Sequence, residues 1–224
     1  MEALLDKQVI QQLQQAFAEL QKPVEILYFG TEQDCEYCQA EQQLLQEITA
    51  VSPLISLSVH DVEHDKALAD KFNVDRAPQV VIAAKDGSNV TDLGIRFSGV
   101  PSGHEFSTLV NDILLVSRRD SGLSASTREF LKGLSEPLLL QVFVTPTCPY
   151  CPRAVLLAHQ MAMENPKMIR AEGIEATEFR ELAEKFYVSG VPQTVINSGA
   201  KMVVGAVPEL NLLGQIKLAM QSAA

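Results

Sequence analysis

Pro23-Val-Glu-Ile-Leu-Tyr-Phe-Gly30 is an apolar run of strand length, followed by Thr-Glu-Gln-Asp and then Cys35-Glu-Tyr-Cys38. Far along the chain the same arrangement returns. Pro137-Leu-Leu-Leu-Gln-Val-Phe-Val144 leads through Thr-Pro-Thr to Cys148-Pro-Tyr-Cys151, with Cys148 standing 113 residues after Cys35 (148 − 35). A second pair of stretches keeps nearly the same register. Ala69-Asp-Lys-Phe72-Asn-Val74-Asp-Arg-Ala-Pro78-Gln-Val-Val-Ile82 matches Ala183-Glu-Lys-Phe186-Tyr-Val188-Ser-Gly-Val-Pro192-Gln-Thr-Val-Ile196, at an offset of 114 (192 − 78). Two independent segments repeating at almost one spacing make the chain an internal duplication.

Each copy reads as the same order of elements. Leu5, Val9, Leu13 and Phe17 recur every fourth residue, the apolar face of an opening helix. Val24–Gly30 is apolar throughout, as in a strand buried on both faces. From Cys35 to about Val51 the pattern is helical, with Leu44, Ile48 and Val51 on one face, and Leu54–Val59 is the next strand. Strand, helix and strand form a parallel, right-handed βαβ unit. A helix near Asp65–Phe72, strands at Gln79–Ala83 and Thr91–Phe97 with Gly87 in their turn, and a closing helix carrying Phe106, Leu109, Val110, Ile113 and Leu114 complete the copy. The second copy is expected to follow suit. It has a helix around Ser126–Leu134, a strand into Cys148, a strand near Ile169–Ile174, a helix at Thr177–Phe186, strands after Pro192 and a last helix with Leu212, Leu213, Ile216 and Met220. Both periodicities break near Ser117–Ser126, so the expected units are 1–119 and 120–224, joined closely enough to pack together.

The four cysteines of the chain all lie in these two pairs. Cysteines three apart point to redox chemistry or to a metal. Each first cysteine is expected at or near a helix N-terminus, where unpaired N–H groups and the helix dipole favour a thiolate. Three-residue spacing lets the second sulfur close a small ring. Attack by Cys35 or Cys148 on a substrate disulfide would then be resolved by Cys38 or Cys151, and the same steps in reverse insert a disulfide. Four thiolates could instead hold zinc. Zinc ribbons, however, separate their pairs by about 15–20 residues, against 110 here (148 − 38). Inert structural disulfides and a chaperone-like binding module are the other readings.

Strand, Cys-x-x-Cys, helix, and a proline some 40 residues later before a strand is the pattern of the thioredoxin fold, and Cys148-Pro-Tyr-Cys151 is similar to the active-site sequence of glutaredoxins. Two intact units in one chain resemble the protein disulfide oxidoreductase family of thermophilic archaea and bacteria. The resemblance implies an α/β fold of two tandem thioredoxin-like units, each a mixed sheet flanked by helices. It implies an enzyme that reduces, forms or isomerises protein disulfides with no cofactor beyond Cys35–Cys38 and Cys148–Cys151. It also implies cis peptides at Pro78 and Pro192, which would expose the backbone of Ala77 and Val191 to an extended substrate strand. The partners that follow are protein substrates, a thioredoxin-reductase-like flavoprotein as electron donor, and a peroxiredoxin if the chain is an electron-transfer adaptor. In the double-thioredoxin modules of peroxiredoxin reductases one motif is typically degenerate, whereas both are complete here. The chain departs from thioredoxins in having no tryptophan, and Phe29 and Val142, six residues before Cys35 and Cys148, stand where thioredoxins carry a buried Asp.

The two sites differ in charge. Glu36, with Asp34 and Glu32 beside it, opposes a thiolate at Cys35, while Pro149 and Thr147 carry no charge. Tyr37 and Tyr150, between the cysteines, are further candidates for tuning the potential. The expectation is a second pair that is the stronger oxidant, receiving electrons from the first. A net charge of −10 argues against nucleic acid as the main partner. No apolar run reaches the roughly 18–20 residues of a membrane span, and the first residues lack a secretion signal, so a cytoplasmic location is expected. His60 and His64 have metal-capable spacing but are expected to be solvated, and His104 and His159 to lie at the surface. The glutamines of Gln8–Gln21 fit the solvated face of the first helix.

Overall fold

The computed structural model describes residues 3–221. The first unit runs α1 (Lys7–Phe17), β1 (Val24–Gly30), α2 (Cys38–Thr49), β2 (Ile55–Asp61), α3 (Lys66–Lys71), β3 (Gln79–Asp86), β4 (Asn89–Ser98) and α4 (Glu105–Arg118). The second runs α5 (Ala125–Lys132), β5 (Leu138–Val144), α6 (Cys151–Glu164), β6 (Ile169–Glu175), α7 (Arg180–Lys185), β7 (Gln193–Ile196), a 3-10 turn at Asn197–Gly199, β8 (Lys201–Val204) and α8 (Glu209–Gln221). The expected tandem of thioredoxin-like units is what forms, and it goes further than packing together. All eight strands join one sheet in the order β2-β1-β3-β4-β6-β5-β7-β8, with β4 and β6 paired in parallel where the units meet.

The strands form where the sequence places apolar runs because both faces of the sheet are covered. On one face Leu13, Phe17, Leu44, Ile48, Leu109, Ile113, Val155 and Ile216 from the long helices make a single core with Val24, Ile26, Leu140 and Val142. On the other face α3 and α7 each cover a small cluster, around Phe29 and Phe72 in the first unit and around Phe143 and Phe186 in the second. Gln8, Gln11, Gln12, Gln14 and Gln15 are exposed on α1, as expected, and Asp6 caps that helix by accepting from the N–H groups of Gln8 and Val9.

Two helices are shorter than the periodicity predicts. α2 begins at Cys38 rather than Cys35, because Asp34 takes a left-handed conformation (φ 51°) and Cys35 to Tyr37 form a turn. α7 begins at Arg180 rather than Thr177 because the Glu175 carboxylate accepts from the Thr177 hydroxyl (2.7 Å) and the Glu178 N–H (2.6 Å), holding that stretch in a turn. The register also explains the shift in offset from 113 to 114. One rung of the sheet runs Phe29, Gln79, Ser98, Ile174, Phe143, Gln193, so Phe143, not Val142, is the structural counterpart of Phe29. The turn from Gly30 to Cys35 therefore holds one more residue than that from Val144 to Cys148.

Candidate active sites

β1, β4, β6 and β5 all run in the same direction, so the turns after β1 and β5 open at one edge of the sheet. α2 and α6 leave those turns onto the same face. Three strands lie between β1 and β5, which at about 4.8 Å per strand puts the two cysteine pairs about 19 Å apart along the edge. Direct thiol–disulfide exchange needs sulfur in contact with sulfur, so the expected passage of electrons from the first pair straight to the second is out of reach at this spacing.

Both pairs are disulfides, with Cα separations of 5.5 Å for Cys35–Cys38 and 5.6 Å for Cys148–Cys151. Each closes on itself, so the four sulfurs do not converge on one centre. Cys35 is partly exposed, whereas Cys38, Cys148 and Cys151 are buried. The N-caps of α2 and α6 are Tyr37 and Tyr150, and neither side chain caps its helix, which leaves the first-turn N–H groups facing the sulfurs. Both tyrosines are exposed. The Ala77–Pro78 and Val191–Pro192 bonds are cis, as expected. In the second site the Cys148 sulfur lies 3.7 Å from the Val191 carbonyl oxygen, which brings the disulfide against that loop.

Each site leans on the other unit. The Gln79 amide, next to Pro78, donates to Glu172 of β6 at 2.7 Å; Ser98 also bonds this carboxylate, and Arg76 stands 3.7 Å from it. Gly99 N–H donates to Pro78 O at 3.1 Å, and Val100 N–H donates to Glu178 of the second unit at 2.9 Å. Reciprocally, the start of α4 abuts the second site's turn. His104 N–H donates to Pro146 O at 2.9 Å, and a Cβ on Gly103 (φ +58°) would stand 2.2 Å from that oxygen.

Buried acids surround both sites, and none of them was expected from the sequence. Glu41, one turn into α2, is fully buried with no hydrogen-bond partner on either oxygen among the described residues. Burial, then the nearby Glu178, push its carboxyl well above the ordinary range. Glu105 is buried at the start of α4, and its carboxyl is pushed up to about 7 by burial, with Thr108 and His159 pulling the other way. Glu178 also reaches about 7, again through burial first. The signal was present as acids on apolar helix faces. Glu41 shares its face with Cys38, Leu44, Leu45 and Ile48, and Glu105 and Asp112 share theirs with Leu109, Ile113 and Val116.

The histidines divide. His159, expected at the surface, is fully buried between α4 and α6, with Nδ1 2.7 Å from Asp112 and Nε2 3.1 Å from the Arg96 carbonyl. The α6 pattern hid this because the polar partner comes from the other unit. His60 stacks on Phe29 from β2, while His64 is exposed beside Asp61, so the two share no face; His104 is exposed.

The thioredoxin domain family model matches residues 138–217. In structure the chain is similar to the protein disulfide oxidoreductase from Aeropyrum pernix, with a TM-score of 0.87, 33% identity, and coverage of 98% of this chain and 96% of that one. It is also similar to the NTD_N/C domain of alkylhydroperoxide reductase AhpF from Enterococcus faecalis, at a TM-score of 0.85 and 28% identity over 95% of this chain and 99% of that one. By sequence it is 27% identical over 194 residues to the corresponding alkyl hydroperoxide reductase, AhpF, of Pseudomonas aeruginosa, covering 87% of this chain and 34% of that protein. The chain thus spans about a third of the length of that relative. Among the described residues no helix is long and apolar enough to cross a membrane.

Proposed function

From the premise that the chain belongs to the protein disulfide oxidoreductase family, we propose that it exchanges disulfides with protein substrates at two separate sites, with Cys35 and Cys148 as the attacking sulfurs and Cys38 and Cys151 as the resolving ones. The observation that carries this reading is that each closed pair heads its own helix and has its own cis-proline loop. A reduced Cys35 or Cys148 attacks a substrate disulfide, forming a mixed disulfide and expelling one substrate thiolate. Cys38 or Cys151 then attacks the mixed disulfide and releases the second thiolate. The substrate strand pairs with the backbone of Ala77 beside Pro78, or of Val191 beside Pro192. The chemistry suits a compartment whose thiol pool turns such pairs over, which is the cytoplasm. A thioredoxin-reductase-like flavoprotein would supply the electrons.

The sites are tuned differently. Tyr37's phenol is held above its usual value chiefly by Glu36, with Glu178 and Glu175 adding to the same negative field. That field disfavours a thiolate at Cys35 and makes the first pair the more reducing, whereas Pro149 leaves Cys148 without it. Redox titration of the Cys35→Ser/Cys38→Ser and Cys148→Ser/Cys151→Ser variants tests this. The pair at Cys148 has the higher potential, and equal potentials or the reverse order overturn the tuning. In insulin reduction each double variant retains activity and the quadruple variant has none. Activity that survived loss of all four thiols would leave a chaperone-like binding module as the reading.

A second reading is favoured by the similarity to the Pseudomonas aeruginosa alkyl hydroperoxide reductase AhpF over 87% of the chain. In it, one pair passes electrons from the flavoprotein to a peroxiredoxin. Reconstituted peroxide turnover that depends on this chain supports it, and turnover indifferent to the chain removes it.

A further inference from the structure

Cys38 opens α2 and Glu41 follows one turn later on the same inward face, with Leu44, Leu45 and Ile48 completing it. An unpartnered buried polar group costs about 1–3 kcal/mol. The other buried acids of the sheet and its helices are anchored: Glu172 by Gln79, Asp112 by His159, and Glu25 by Lys85. Glu41 has no such anchor among the described residues. Its neighbourhood is the disulfide's own, because Tyr28 of β1 donates its hydroxyl to Cys38 O at 2.8 Å and lies in the field of Glu41. The titratable groups facing Glu41 are Tyr28 and, from the turn after β6, Glu178. Neither is cationic, so the carboxyl is neutral while the disulfide is closed. The position on α6 that matches Glu41 is Ala154 (151 + 3), so the second site has no such group on its own helix.

We propose that the Glu41 carboxyl gives the proton to, and takes it from, Cys38 during exchange at the first site. The inference rests on Cys38 being the resolving thiol. When a substrate thiolate attacks the Cys35 sulfur, a substrate–Cys35 disulfide forms and the Cys35–Cys38 bond breaks. Its electron pair stays on the Cys38 sulfur, which takes the Glu41 proton and leaves a carboxylate. In the reverse direction Cys38 returns its proton to that carboxylate as its sulfur attacks the mixed disulfide, and the substrate departs as a thiolate. No other redox partner enters. Glu178 belongs to the second unit, so the first site's proton chemistry is set partly from outside its own half.

The test uses the full chain carrying Cys148→Ser/Cys151→Ser, so that only the first site turns over. Glu41→Gln is expected to slow insulin reduction by about 100-fold at neutral pH, within the range of general acid–base catalysis, and to flatten the rise of rate with pH. Glu41→Asp restores part of that rise, and Glu178→Gln moves it to lower pH. In infrared spectra of the parent, the carbonyl stretch of a neutral buried carboxyl is present with the disulfide closed, shifts on chemical reduction, and is missing from Glu41→Gln. A band indifferent to reduction, or a pH profile unchanged in Glu41→Gln, overturns the proposal. Chemical reduction needs no protein substrate, so a chain inactive on insulin fails the exchange reading while the infrared result still decides this one.

Discussion

At the scale of single residues, the cysteines and prolines announced themselves in the sequence through chemistry and repetition, but the acids that surround them did not. Glu41 and Glu105 sit on helices rich in polar residues, and only the neighbours that bury them, Tyr28 on β1 for the one and α6 for the other, give them altered properties. Glu105 makes the consequence measurable. Its carboxyl titrates at about 7 in the folded chain against 4.5 ordinarily. Between those values the folded protein keeps a proton that the unfolded chain has released, so stability falls as pH rises through this window. Above it the loss approaches about 3 kcal/mol. Glu105→Gln removes the titration. Denaturant unfolding at pH 5 and pH 8 should show the difference between the two pH values shrinking by about 2–3 kcal/mol in the variant, and a difference left intact would assign it to other groups.

At the scale of elements, strands were the most legible because a sheet covered on both faces demands continuous apolar runs, and β1 appears with the predicted bounds. Helix starts were less legible. The apolar spacing of α2 extends back through Cys35, and nothing in it reveals the left-handed turn at Asp34 that delays the helix. Contacts between elements of different units were not legible at all, and the α4–α6 seam is the main case. Asp112 and His159 meet there in full burial, and burial raises the Asp112 carboxyl while His159 draws it back. His159→Ala would leave Asp112 without its partner and should cost about 3–5 kcal/mol. Calorimetry would see this as a melting temperature lowered by about 10 °C, at the 2–4 °C per kcal/mol expected for a chain of this size. Replacing both residues by leucine should recover most of the loss, since a well-packed apolar pair is often as stable as a buried polar one. A His159→Ala protein as stable as the parent would show that the seam is held by its apolar contacts alone.

At the scale of the whole molecule, duplication was plain in the sequence while the union of the two sheets was not, because parallel pairing of β4 with β6 depends on edges that carry no motif. The clearest sign of that union is Glu172, a residue of the second unit that fixes Gln79 and Arg76 beside the first unit's proline loop. Glu172→Ala should therefore slow exchange at Cys35–Cys38 and lower stability by about 3 kcal/mol, although the cysteines it affects lie in the other half. Insulin reduction in the background lacking Cys148 and Cys151, read together with thermal unfolding, checks both effects, and an unaffected first site would show that the units work independently. The shared edge has one more consequence. An extended peptide advances about 3.3 Å per residue, so about six residues span the roughly 19 Å between the two disulfides. The molecule is then a ruler as well as a pair of sites. A client held at one end presents its next cysteine to the other at a local concentration on the order of millimolar, so such a client is gripped far longer than a client with a single thiol.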